Sequence, residues 1–222
     1  MNRRLALVIL PLLLTLAGCT SGADDGAPTP SRAAAERPSP FRDCSTLRTP
    51  PRATSSGSAT TAAPDPAASA TGGAPTAGAA GGKALPELTL ACFTGGAPVA
   101  LRDVAGPAVI NVWASWCPPC QKELPAFQRL SERAAGQLQV IGVNSRDSRS
   151  AAQSLGEDFG IRFPILVDQG EALQRQLERN FFPMTIFVDA DGRVRHIDAS
   201  GALDDAQLAE LVRTHLGLTV SA

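Results

Sequence analysis

The 222-residue chain divides by its pattern of apolar and polar positions. Leu5 to Ala17 is one apolar run, residues 20–82 show no periodicity, and from Lys83 onward short apolar runs alternate with stretches of helical spacing. Leu85 to Leu90 alternates as a half-exposed strand, Gly95-Gly96 marks a turn, and Val99 to Leu101 reads as a short second strand. Val109 to Trp113 is apolar and rich in β-branched residues, the signature of a strand covered on both faces. A helix reaching about Ala135 follows, with Leu124, Phe127 and Leu130 on its buried face. Pro125 lies inside that helix and is expected to kink it, because the bond to the Gln121 carbonyl is lost. Leu138 to Val143 is the next strand, followed by a polar helix over 148–158, a strand at Ile165 to Val167, a helix over 171–178 and a strand from Met184 to Val188. Asp191-Gly192 turns tightly into Val194 to Ile197, and an amphipathic helix from about Asp204 to His215 closes the chain. The order β-β-β-α-β-α-β-α-β-β-α predicts an α/β domain over 83–222, with a central mixed sheet, helices on both faces and an N-terminal β extension.

The first run has another meaning. Arg3 and Arg4 precede it, and it falls short of the roughly 18 residues a spanning helix needs, so it reads as the apolar part of a signal peptide. It ends in Leu16-Ala17-Gly18-Cys19, which resembles the lipobox of bacterial lipoproteins, where the cysteine is lipidated and becomes the first residue of the mature chain. Residues 1–18 are then the signal peptide and Cys19 the lipid attachment site on an extracytoplasmic, membrane-anchored protein. Residues 19–82 are dominated by Ala, Pro, Ser, Thr and Gly; such a composition cannot offset ordering entropy by burial and predicts a tether. Its one apolar island, Phe41 to Leu47 around Cys44, is a candidate to dock on the domain.

Charge narrows the function classes. Twenty Lys and Arg against 21 Asp and Glu give a net of -1; removing Arg3 and Arg4 with the signal peptide, which holds no acid, leaves -3. With no basic block and few aromatic residues, the chain has no footprint for nucleic acid. Of five cysteines, Cys19 is assigned to the anchor, and an even number remains for an oxidising compartment, which predicts two disulfides. Cys92 ends the first strand of the domain and Cys44 sits in the apolar island, so these two are expected to form a structural disulfide pinning the tether to the fold.

The remaining pair, Cys117-Pro118-Pro119-Cys120, follows the central strand and opens the first helix. Two prolines suit a first helical turn, where a missing N–H is no loss, which puts Cys117 at the N-cap. Free N–H groups and the helix dipole there favour a thiolate. Cys117 is therefore expected to be the exposed nucleophile and Cys120 the buried resolving partner. Zinc sites use the same Cys-x-x-Cys spacing. His196 and His215, however, have no cysteine or carboxylate spacing that points to a metal, and no Cys-x-x-Cys-His is present for covalent haem. No metal is expected, and no cofactor beyond the Cys117–Cys120 disulfide.

Three motifs carry a resemblance: Trp113-Ala114-Ser115-Trp116-Cys117-Pro118-Pro119-Cys120, Glu123-Leu124-Pro125, and Pro183-Met184-Thr185. Together, over about Leu85 to Leu216, the sequence resembles the TlpA/ResA-like extracytoplasmic thioredoxins, including those of cytochrome c maturation. The resemblance implies a thioredoxin fold and a thiol–disulfide oxidoreductase that reduces exported proteins such as apocytochrome c, supplied by a membrane electron donor. It implies that Pro183 is a cis-proline beside the dithiol, with Trp116 and Phe182 shaping the substrate groove. Phe182 departs from the small or β-branched residue often found there. Glu123, one turn beyond Cys120, is implied as a proton shuttle for the buried thiol, against the plainer reading of a solvated helix glutamate. Two other readings stand beside reduction: a net oxidant, and a non-catalytic binding lipoprotein in which the dithiol is a static staple. A peroxidase pattern would need Thr or Ser at Ala114 and Pro at Ile110.

Overall fold

The computed structural model describes residues 37–51 and 82–222. The expected signal peptide, Cys19 and most of the tether lie outside these residues. From Pro38 onward the described residues belong to one compact unit. It contains strands β1 (Thr89–Cys92), β2 (Val99–Ala100), β3 (Ala108–Trp113), β4 (Gln139–Ser145), β5 (Ile165–Asp168), β6 (Met184–Val188) and β7 (Val194–Asp198). Its helices are α1 (Pro118–Arg133), α2 (Arg149–Asp158), α3 (Ala172–Gln176) and α4 (Asp205–Leu216).

The seven strands form one sheet in the order β2-β1-β5-β4-β3-β6-β7. β3 is parallel to β4 and β4 to β5, whereas β6, β7, β1 and β2 join antiparallel. All six residues of β3 are buried, as its apolar composition requires of a strand with helices on both sides. Its alternation splits the core into two layers. Val109 and Trp113 pack with Leu124, Phe127 and Leu130 of α1, Ala152 of α2 and Leu208 and Val212 of α4. Ile110 and Val112 pack on the opposite face with Leu173 of α3, Met184, Ile186 and Leu166. α1 connects the parallel strands β3 and β4, α2 connects the parallel strands β4 and β5, and both helices pack into the first core layer.

Four sequence expectations are revised. The strand expected at Leu85 to Leu90 forms at Thr89–Cys92 instead: Leu85 is buried in the second layer, Ala84 bridges Arg193 across the sheet, and Pro86 has no N–H to extend a ladder. The strand expected at Val99 to Leu101 ends at Ala100, where a 3-10 turn over Leu101–Asp103 takes over. α3 is shorter than the 171–178 expected, because Glu171 and Glu178 adopt left-handed backbone angles (φ 54° and 56°) that close it at both ends. Its first turn is capped instead by Asp168, whose carboxylate accepts from the Ala172 and Leu173 N–H groups at 2.9 Å.

The fourth revision concerns where the folded body begins. The island around Cys44 is docked, so the compact unit starts well before Lys83. Phe41, Cys44 and Leu47 are buried, with Phe41 in the first core layer and Cys44 and Leu47 in the second. Phe41 meets Phe93 edge-on at 4.8 Å between ring centres, and a side chain at Gly156 would collide with its ring. Backbone bonds from Arg42 to Arg162 and from Ala105 to Leu47, both 2.8 Å, hold the strap at its two ends. Cys44 and Cys92 form a disulfide, their Cα atoms 6.0 Å apart.

Candidate active site

The dithiol sits where β3 ends and α1 begins. Cys117 is the N-cap residue with extended backbone, and Pro118 and Pro119 fill the first two helical positions. Their fixed φ suits a helix start, and neither has an N–H to leave unpaired. Cys117 and Cys120 are joined in a second disulfide, Cα atoms 5.3 Å apart. The Cys120 N–H donates to Cys117 Sγ at 3.3 Å, the one cap bond of this helix to a side chain.

One expectation about the pair needs correction. Cys117 is not exposed: it is 3% accessible, against 0% for Cys120. The difference has the expected order, but both sulfurs belong to the apolar core layer, against which Phe182 packs. Trp116 is the exposed member of the motif at 49%, and its ring lies edge-on to Phe182 at 5.2 Å. The Phe182–Pro183 peptide is cis; so is Gly106–Pro107, ahead of β3, which nothing in the sequence singled out. β6 starts at Met184, opposite Val112, and this pairing brings Pro183 to the dithiol end of β3.

Two buried carboxylates flank the motif. On the loop side, Asp147 accepts from Ser115 N at 2.5 Å, Ser115 Oγ at 2.6 Å and Asn144 Nδ2 at 2.8 Å, which fixes the chain entering Cys117. The preceding Arg146 has a left-handed backbone (φ 49°), its carbonyl accepts from Trp116 Nε1 at 2.8 Å, and its guanidinium lies 5.4 Å from the centre of that ring. On the helix side is Glu123, which is fully buried. The solvated-glutamate reading is thereby excluded. Its Oε1 accepts from Asn111 Nδ2 at 2.6 Å and its Oε2 from Leu203 N at 3.1 Å. Burial pushes the Glu123 carboxyl up to about 7, against the opposing pull of those two donors and with a small further push from Asp198. α1 itself is clamped to α4 by Arg129 and Arg133 on Asp205; hydrogen bonding from Arg129 chiefly holds that carboxyl well below the usual range, at about 2.

Asn111 and Asp147 were not anticipated. The only sequence signal for Asn111 was a polar residue inside an otherwise apolar strand; Asp147 left none. His196 and His215 stack on each other 4.0 Å apart, and among the described residues no three His, Cys, Asp or Glu side chains gather as a metal site needs. Also among the described residues, no helix is long and apolar enough to cross a membrane.

The titration of Glu123 gives a stability prediction. The folded protein keeps this proton up to about pH 7, whereas an unfolded glutamate loses it near 4.5. Between those values the native state binds more protons, so stability falls as pH rises. About 2.5 pH units correspond to a loss of about 3 kcal/mol, complete above pH 7 and absent below 4.5. Glu123→Gln removes this slope. Urea unfolding of both proteins at acidic and mildly alkaline pH measures it, and parallel pH profiles would contradict the burial argument.

A sheet of this topology, a disulfide at the N-terminus of the helix after its central strand, and a cis-proline facing that helix start define a thioredoxin-fold thiol–disulfide oxidoreductase. The chain belongs to the Redoxin family, whose model matches residues 79–211. The thioredoxin-like protein YneN of Bacillus subtilis (strain 168) is 29% identical over 120 residues, 52% of this chain and 69% of that protein. The thiol-disulfide oxidoreductase ResA of Bacillus thuringiensis (strain Al Hakam) is 26% identical over 115 residues, 51% of this chain and 66% of the relative. The matches thus span about two thirds of the relatives' own length. Among solved structures, a secreted Mycobacterium tuberculosis disulfide oxidoreductase homologous to E. coli DsbE aligns with a TM-score of 0.52. It covers 58% of this chain and 96% of its own, and at 23% identity it supports the fold alone.

Proposed function

We propose that the protein is a lipid-tethered, extracytoplasmic reductant of disulfides in exported proteins, apocytochrome c among them. The observation that carries the direction is the shortage of donors at the Cys117 sulfur. Pro118 and Pro119 remove the first two N–H groups of the helix, and Cys120 N is the backbone group that bonds it. A thiolate with few donors is less stabilised, which makes the dithiol easier to oxidise and hence a better reductant.

In the reduced enzyme the Cys117 thiolate attacks one sulfur of the substrate disulfide. That S–S bond breaks, a mixed disulfide forms, and the first substrate sulfur leaves and takes up a proton. Cys120 then gives its proton to the Glu123 carboxylate and attacks Cys117, releasing the second substrate sulfur as a thiolate that takes up a proton in turn. Two electrons have passed to the substrate, and the enzyme is left with the Cys117–Cys120 disulfide. A membrane electron donor restores the dithiol. Trp116, Phe182 and Pro183 line the approach to Cys117 and hold the substrate chain.

Equilibration of the purified protein with a thiol–disulfide buffer tests the direction. A potential near the about -270 mV of thioredoxin supports a reductant, and one near the about -120 mV of the strongest oxidants makes the protein a net oxidant. The anchor has its own test. Cys19→Ser should release the protein from the membrane fraction, because an apolar run shorter than about 18 residues does not span a bilayer. Unchanged retention in detergent-free fractionation counts against lipidation.

A further inference from the structure

The two oxygens of the Glu123 carboxyl are held by donors of different kinds. Oε2 accepts from the backbone N–H of Leu203, and Oε1 from the side-chain amide of Asn111. A backbone N–H can only donate, and the carbonyl-type oxygen of a carboxylic acid is its better acceptor, so Oε2 is favoured as the unprotonated oxygen in either state of the acid. The proton therefore belongs on Oε1. There it meets the Nδ2 donor of Asn111, which a proton directed at the amide opposes and for which a hydroxyl oxygen is a weaker acceptor than a carboxylate.

An amide has a donor at one end and an acceptor at the other, and a turn about its last torsion exchanges them. The acceptor end of Asn111, Oδ1, is buried with no hydrogen-bond partner. A buried orphan of this kind is costly unless another state of the site uses it. We propose that Asn111 positions Glu123 in both of its protonation states by reversing its amide, with Nδ2 on the carboxylate and Oδ1 accepting from the carboxylic acid at Oε1. The inference rests on the reading of Glu123 as proton acceptor for Cys120, and it names the group that makes that acceptance reversible without exposing the site.

The surrounding elements leave this task to Asn111. β3 and β6 carry no ionisable side chain. β7 brings Asp198, whose Oδ1 accepts from Ser200 N and Oγ and whose Oδ2 lies 3.9 Å from His196 Nε2. α4 turns Asp205 toward Arg129 and Arg133. On α1 the neighbouring Lys122 is exposed, and Cys120 is locked in its disulfide. Because burial brings the Glu123 midpoint to about 7, both orientations are populated near neutral pH.

The test is a side-chain NMR titration of the isotope-labelled, oxidised protein from about pH 5 to about pH 9, which brackets that midpoint. The Asn111 Nδ2 protons should move to the positions of a carboxylate-bonded amide at high pH and lose them at low pH. The Asn111 carbonyl carbon should show the opposite change, both following the Glu123 carboxyl carbon with one midpoint and both absent in Glu123→Gln. An Nδ2 bonded to Glu123 at both ends of the titration, or Asn111 signals that ignore it, overturns the proposal. Infrared spectra supply the second arm. In Asn111→Leu the carbonyl stretch of the protonated Glu123 should shift to the frequency of an acid with no acceptor, whereas Asn111→Thr, whose hydroxyl both donates and accepts, should keep the native band and a midpoint within about half a pH unit. A native band in Asn111→Leu also overturns it. Neither signal depends on turnover: a wild-type protein inactive in insulin reduction would remove the proposed reaction while the titration still reported on Asn111.

Discussion

Cys120→Ser should accumulate a mixed disulfide between Cys117 and a partner protein, while Cys117→Ser should accumulate none, and either change should lower disulfide-reductase turnover by about 10³-fold or more. The asymmetry follows from where the helix begins. Cys117 caps α1 and its sulfur receives the Cys120 N–H, whereas Cys120 lies inside the first turn with no accessible surface. In the Cys120→Ser protein the attacking sulfur and its donor remain, and only the group that resolves the intermediate is gone. The 3% accessibility of Cys117 adds a condition: in the proposed groove a partner sulfur approaches it past Phe182 and the exposed Trp116 ring. Trp116→Ala should therefore alter the rate of trapping and leave unchanged which cysteine is trapped. Non-reducing electrophoresis of membrane extracts, with mass spectrometry of reductant-sensitive adducts, reads both outcomes. Adducts from Cys117→Ser alone would reverse the roles, and none from either variant would favour a static staple and a binding protein.

What was legible in the sequence was local. The β-branched run ending at Trp113 announced a central strand because burial on both faces leaves Asn111 as its one polar position. The double proline announced a helix start because only that position tolerates two missing N–H groups. The Cys44 island stood out because nothing else near it could be buried. What escaped depends on contacts between distant segments. Glu123 was seen, but its burial was not, since its surroundings are made by Asn111 twelve residues earlier and Leu203 eighty residues later. Asp147 was missed because its role is to bond Ser115, 32 residues away. The burial of Cys117 has the same origin: N-cap geometry places the residue at the helix start, while its 3% accessibility is set by the core layer it joins, which residues from distant segments complete.

Replacing both Cys44 and Cys92 with Ala should cost about 4 kcal/mol, the chain-entropy value for a cross-link of this span, and should leave the dithiol chemistry intact. The bridged residues are 48 apart in sequence, and the link ties the strap to the last residue of β1. Both cysteines belong to the core layer on the face opposite the one that holds Cys117 and Cys120, so the two disulfides sit in different layers of the core. The strap does not depend on the bridge alone. Phe41 against Phe93, Leu47 in the core, and the backbone bonds to Arg162 and from Ala105 remain in the variant. These contacts should keep the native fold and confine the change to a lower urea midpoint, with the slope reflecting a less compact unfolded state. A loss under about 1 kcal/mol would mean that the unfolded chain already holds the strap near the domain, so that the cross-link restricts little. Alkylation of Cys44 or Cys92 in non-reduced native protein would remove the premise, because a formed disulfide leaves neither sulfur free to react.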